Sequence, residues 1–366
     1  VRSRRQRQMC IRDRYISYDD GASWKSFQKN LPIVPITDLT VKDNSLIVAT
    51  QGRSLWMIDD LTVLHQLKSI STEAKTILFE PKYSYRTRGR GGKTSLTDGT
   101  NLPNGVIIHY YLKNYDVEKD VVELQLKQQD GTLIKSYSTQ DDKNKLDVKK
   151  GGNQFVWNTR YEGAEKLKGM IFWSASFSGA KAVPGDYKVS LIVNGKEQEQ
   201  SFTILPDPRS ESSVSDMQKQ FDFVNKVNQT VDGAHKAIKN IRAVNKKLKD
   251  FVQQNKTDST AIALIEQAEK IQKSLTQIEE TLYQTQNRSN QDPLNFPIRL
   301  TNKLGHLNRL ITIDDFPPTA QDNAVRLELT AEVDITMQAY KKIIDEDIIE
   351  FNKAFKKQKR DYLSID

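Results

Sequence analysis

Apolar positions along this chain follow two different periods, and the change falls between residues 204 and 213. Before it they alternate in short runs. Residues 36–41, 45–50 and 55–58 each read as a half-buried strand, with Asp43-Asn44 and Gln51-Gly52-Arg53 turning between them. Further strands are predicted at 106–112, 121–127, 133–137, 154–160, 187–193 and 199–204, and Asn194-Gly195 has the chemistry of a two-residue hairpin turn. After residue 213 the steps become three or four. Met217, Phe221, Val224, Val227, Val231, Ala234, Ile238, Ile241, Val244, Leu248 and Phe251 line one face of a long helix. Ala261 to Leu282 repeats the pattern, Leu300, Leu304, Leu307 and Ile311 mark a shorter helix, and Val325 to Phe355 carries a last one. Pro206 and Pro208 close the strand region as a stiff hinge, and Pro293, Pro297, Pro317 and Pro318 separate the helices. Amphipathic helices with short breaks predict an antiparallel four-helix bundle; a homo-oligomeric coiled coil is the alternative packing.

One turn carries a motif. Ser17-Tyr18-Asp19-Asp20-Gly21-Ala22-Ser23-Trp24 fits Ser-x-Asp-x-Gly-x-x-Trp, the Asp-box of β-propeller blades. Asp19 can accept backbone N–H groups across the turn beside Ser17, and Gly21 supplies the positive φ it needs. Trp24 opens the return strand and is expected to bury its indole between blades. These roles are structural rather than catalytic. The phrase Val48-Ala49-Thr50-Gln51-Gly52-Arg53-Ser54-Leu55-Trp56-Met57-Ile58-Asp59-Asp60 resembles the last blade of large secreted bacterial β-propellers with BNR-type, sortilin-like repeats, of the wider WD40/YVTN/BNR-like group, with Gln51 where His is common. Gly152-Asn153-Gln154-Phe155-Val156-Trp157-Asn158 and Val183-Pro184-Gly185-Asp186-Tyr187-Lys188-Val189 resemble sandwich modules similar to that of the flagellar hook-capping protein. The phrase from Gln291 to Leu300 resembles the helical tail of the same propeller proteins.

Taken together, the expected fold class is multidomain β + α. Its parts are a partial β-propeller blade over 15–67, an immunoglobulin-like β-sandwich over 72–206 with a linker or loop at 85–104, and the antiparallel helical bundle over 211–361. A propeller closes with about four to eight blades, so the chain is expected to be the tail of something longer. The resemblance implies an exported location, periplasmic, outer-membrane-associated or extracellular. The partners it implies are upstream blades of the parent and a protein or glycan ligand. It brings no cofactor and no catalytic residue.

Residues 1–14 follow neither period, and Met9-Cys10-Ile11-Arg12-Asp13-Arg14 resembles a transposon-type sequencing adapter translated in one frame. They are expected to be an unpacked assembly artefact, a basic N-terminal arm being the alternative. This changes the charge argument. The segment holds six Arg and one Asp, which is +5 of the formal +8, so the rest of the chain carries only +3. The inference of a nucleic-acid partner falls with it. Cys10, the single cysteine, belongs to the same segment, which leaves no thiol for a disulfide, a zinc site or a nucleophile. No run of eighteen apolar residues is present to span a membrane.

Candidate chemistry is sparse. Gly92-Lys93-Thr94 ends like a phosphate-binding loop, but Thr87 stands where that loop needs glycine, and the Arg-Gly steps nearby are too few for a nucleic-acid segment. Of the four histidines only His235 and His306 fall among the helices, with Asp232 and Lys303 where a di-metal Glu-x-x-His would place Glu. The acidic pairs Asp19-Asp20, Asp59-Asp60, Asp141-Asp142 and Asp314-Asp315 are sequence neighbours, which do not converge in extended chain. Two functional classes stay open. One is a non-catalytic scaffold or interaction region of an exported propeller protein. The other is a piece of a propeller glycoside hydrolase, sialidase-like or glucanase-like, with its active site upstream.

Overall fold

The computed structural model describes residues 14–68, 70, 73–87 and 102–357. The expectation for residues 1–13 therefore lies outside the described residues. Arg14 does not fit it, because Phe27 N–H donates to Arg14 O at 2.6 Å and the Arg14 guanidinium donates to Val34 O at 2.7 Å. The chain is mixed β and α and divides into two compact units: Val1–Thr159 with Pro184–Asp207, and Arg160–Val183 with Pro208–Asp366.

In the first unit, β1 (Tyr15–Ile16) and β2 (Lys25–Ser26) pair around the motif turn. Strands β3 (Ile36–Lys42), β4 (Ser45–Thr50) and β5 (Leu55–Ile58) follow as an antiparallel meander. A short helix, α1 (Thr62–Leu67), follows, with the Thr62 N–H donating to Asp60 Oδ1 at 2.9 Å. The register of the meander has a consequence. Leu39, Val48 and Trp56 share a row, as do Val41, Leu46 and Ile58, so they occupy one face. Ile47 and Met57, with Ala49 and Leu55, occupy the other. The first face is apolar, the second sets these residues beside Asp38, Thr40 and Lys42 of β3, and Val41 (64%), Leu55 (70%) and Met57 (55%) stand in solvent.

The remaining strands of this unit are β6 (Thr76–Leu78), β7 (Ser84–Arg86), β8 (Val106–Leu112), β9 (Val122–Gln128), β10 (Leu133–Ser138), β11 (Gly151–Trp157), β12 (Gly185–Val193) and β13 (Lys196–Pro206). They form a three-stranded sheet, β11-β8-β6, and a five-stranded one, β10-β9-β12-β13-β7. Alternation decides which side is inside: Val106, Ile108, Tyr110 and Leu112 of β8 are buried, with Val122, Leu124 and Leu126 of β9. Trp157 of the small sheet meets Tyr187 and Phe202 of the large one edge to face, at 5.9 and 6.1 Å. The two sheets thus close on a shared aromatic centre. At one margin the Gln198 side chain pairs with β6, accepting Leu78 N–H at 2.8 Å and donating to Thr76 O at 3.0 Å. Two boundaries differ from expectation. Tyr85 and Arg86 lie in β7 rather than in a linker, and Thr87 donates to the Asn104 side chain across the gap, while 88–101 lie outside the described residues. Pro206 ends β13 instead of lying beyond it, since its partner β7 runs parallel at the sheet edge.

The second unit contains α2 (Val214–Gln254), α3 (Ile262–Leu282), α4 (Leu300–Ile311), α5 (Ala320–Lys342) and α6 (Ile348–Lys357). Ser213 with Asp216, and Thr319 with Asp322, form capping boxes that start α2 and α5. A π-turn, Ile343–Asp347, joins α5 to α6. It corrects the expected phase of this last rod: Ile343 and Ile348, five apart, are both buried because the extra residue returns them to one face. Val231, Ile238, Leu275, Leu304, Val333 and Phe351 belong to a single core shared by all the rods, so the packing is within one chain. Residues 160–183 fall inside the span expected for the sandwich, yet they belong to this helical unit.

Replacing Trp157 by Ala is expected to destabilise the first unit by about 3–5 kcal/mol, since it empties the place where the two sheets meet. Urea denaturation read by near-ultraviolet circular dichroism measures this, and the helical far-ultraviolet signal is the internal control.

Candidate functional site

The motif turn is a closed set of hydrogen bonds. Ser23 donates its N–H to Asp19 Oδ1 at 2.8 Å and its hydroxyl to Oδ2 at 2.5 Å, and the Ser17 hydroxyl donates to Oδ1 at 2.8 Å. The Ser23 hydroxyl, then its amide, then the Ser17 hydroxyl pull the Asp19 carboxyl down to about 2. Ser17 in turn accepts the N–H of Gly21, whose φ of +96° is the left-handed geometry the turn requires. Asp19 is thus committed to its own loop. Trp24 departs from expectation. Its indole N–H closes onto Gly21 O at 3.1 Å, yet the ring is 61% exposed and not buried between sheets. It stands at the rim of an apolar concavity of about 900 Å³, lined also by Tyr15, Phe27, Leu39, Val48 and Trp56.

A second constellation was not anticipated. Residues 160–183 run out and back as a loop whose legs are joined by Tyr161 N–H to Ala180 O at 2.9 Å and Ala164 N–H to Phe177 O at 3.0 Å. Beyond those contacts the loop lies on the helices, and its backbone is satisfied by their side chains. Asn302 accepts the Trp173 N–H at 2.7 Å and donates to Trp173 O at 2.8 Å, pairing with one residue as a neighbouring strand would. The Tyr283 hydroxyl accepts Ile171 N–H at 2.8 Å, and Asn228 donates to Ser178 O at 3.0 Å. Both histidines of the helical unit serve the same purpose: His235 Nδ1 meets Glu165 O at 2.5 Å and His306 Nδ1 meets Ser174 O at 3.0 Å. Phe172 and Phe177 fill the space beneath, with ring centroids 4.6 Å apart, and Phe172 meets Tyr283 at 5.4 Å.

Two details fix the loop. Gly305 O accepts Ser176 N–H at 2.8 Å, and a methyl group on Gly305 would stand 2.6 Å from the Phe177 ring and 2.8 Å from Ala175 Cβ. His235 is fully buried, and its Nε2 makes no hydrogen bond. Burial pushes its pKa below the ordinary 6.5 against the raising effects of Glu165 O and Asp232, so the ring is neutral. A sequence signal for this exists. Gln220, Asn228 and His235 interrupt the apolar stripe of α2 seven or eight residues apart, and all are buried.

Among the described residues, no group of three or more His, Cys, Asp or Glu is placed to hold a metal ion, and no helix is long and apolar enough to cross a membrane. No family model and no curated protein matches the chain. A solved structure named pT26-6p is similar at 10% identity, covering 65% of this chain and 44% of that chain with a TM-score of 0.11. A likeness of that size carries no argument about fold or function.

Gly305→Ala is expected to destabilise the helical unit by about 1–3 kcal/mol through overpacking against Phe177, measured by thermal unfolding at 222 nm. His235 gives a pH dependence of definite sign. Its lowered folded-state pKa means that the unfolded chain binds the proton more readily. The stability from the neutral ring is complete above about pH 6.5 and is lost as the pH falls through the lowered value. Urea midpoints at pH 7.5 and 5.5 should therefore differ more for the parent protein than for His235→Phe.

Proposed function

We propose that this chain is the non-catalytic scaffold and interaction region of an exported bacterial β-propeller protein. The observation that carries the reading is the pair β4 and β5 of the meander, which presents apolar side chains on both faces. An antiparallel sheet with one solvated face alternates polar and apolar residues, whereas a sheet packed between two others does not. A propeller blade is such a sheet, and its flanking partners would be the sheets of neighbouring blades. The Asp-box hydrogen bonding of Ser17, Asp19, Gly21 and Ser23 supports the same assignment, and the two-sheet sandwich is compatible with an immunoglobulin-like spacer. Asp19 acts as a staple and is spent within its turn, which argues against its use in hydrolysis.

The test combines an assay with a surface probe. The full chain should not hydrolyse aryl-sialosides, aryl-glucosides or β-glucan above a buffer blank, and should bind an apolar fluorophore that Leu39→Lys with Met57→Lys displaces. Turnover that disappears when one of its acidic residues is replaced would overturn the reading in favour of a glycoside hydrolase.

A further inference from the structure

A cavity of about 470 Å³ opens on the helical unit where α2, the end of α3 and the 283–288 segment meet the tip of the 160–183 loop. Its size suits a small molecule. Its walls have a consistent chemistry: Lys168, Arg242 and Arg288 stand around it against a single carboxylate, Glu279. The two guanidinium groups are held in place by partners that leave further donors free. Arg242 donates Nε to Glu279 Oε1 at 2.7 Å and lies 5.8 Å from the Tyr283 ring centre. Arg288 donates Nη1 to Thr285 O at 2.9 Å and to Asn287 O at 3.3 Å. Lys168 makes no ion pair among the described residues. Two guanidinium groups and an ammonium around an open volume are arranged for an oxyanion, because a planar guanidinium matches a carboxylate or phosphate through paired N–H bonds.

One further group narrows the ligand. Glu279, 8% exposed and on the same wall, gives Oε1 to Arg242 and is an acceptor facing the cations. An oxyanion alone offers this acceptor nothing. A molecule with an anionic group beside hydroxyl groups satisfies both sides of the cavity.

We propose that this cavity binds a small hydroxylated acid, a sugar carrying a carboxylate or a phosphate, with the anion on Arg242, Arg288 and Lys168 and a hydroxyl donating to the Glu279 carboxylate. The site stands on the helical unit alone and is independent of the scaffold reading. The probes are glucuronate, glucose 6-phosphate, glucose and inorganic phosphate, titrated into the full chain at low ionic strength and followed by isothermal calorimetry. Saturable binding is expected for glucuronate or glucose 6-phosphate, and whichever of the two binds more tightly identifies the anion. Glucose and inorganic phosphate should each bind at least tenfold more weakly than that ligand. Binding should weaken as salt is added, since the contact is charged. Lys168→Gln and Arg242→Gln should each lower affinity about tenfold or more; Lys168→Gln leaves the helical circular dichroism and melting temperature unchanged, whereas Arg242→Gln also lowers stability because it unpairs Glu279. Lys168 has no structural partner to lose, so its variant keeps the test valid if Arg242→Gln unfolds. Absence of saturation by both acids at 10 mM overturns the proposal. So does inorganic phosphate binding as tightly as glucose 6-phosphate, or unchanged affinity in the folded Lys168→Gln variant.

Discussion

A chain that leaves a β-sheet and crosses a set of helices in extended form carries N–H and C=O groups with no ladder to receive them. Buried unpaired, each such group costs on the order of 1–3 kcal/mol, which is enough to forbid the excursion unless something replaces the missing strand. In residues 160–183 the replacement is a set of polar side chains set into otherwise apolar helix faces: Asn228, His235, Tyr283, Asn302 and His306. The helical unit depends on this exchange. Its side chains would be unsatisfied without the loop, and the loop would be unsatisfied without them. Phe172 and Phe177 then add apolar burial on top of a polar match that is already specific.

The two sheet systems of the first unit solve the burial problem differently. The five- and three-stranded sheets face each other, so one side of each is dry and the alternation in β8 and β9 follows directly. The meander before them shares a concavity on one face with Tyr15, Trp24 and Phe27, beside Leu39, Val48 and Trp56, and leaves Leu55 and Met57 in solvent.

Much of this was legible in the residues because it is periodic. The steps of three and four in 217–251 and 264–282 gave the helices, and the prolines gave the breaks between them, since both are local physics. The turn at Ser17–Trp24 was equally local, and Asp19 accepts the Ser23 N–H across it. What escaped was nonlocal. Nothing in the run from Tyr161 to Val183 announces that it leaves the sandwich, because an extended segment looks alike whichever surface receives it. Trp24 misled for a related reason: the motif states which face the indole takes but not what covers it. The π-turn at 343–347 was also missed, as one extra residue hardly disturbs an apolar stripe. The basic cavity joins Lys168 to Arg242 and Arg288 from distant stretches, so no window of sequence contains it.

The loop at 160–183 also bears on how this protein can be taken apart. Three chain passages connect the two units, at residues 159–160, 183–184 and 207–208, although only the last looks like a hinge. A fragment beginning at residue 208 would hold every helix of the second unit yet lack the segment those helices are built to receive. A fragment ending at residue 207 would carry that segment without its seat. The helices are therefore not a transferable module, and a gene rearrangement or an expression fragment that cuts at the proline-flanked junction separates a lock from its bolt. A segment that keeps the helical unit intact has to carry residues 160–183 together with 208–357.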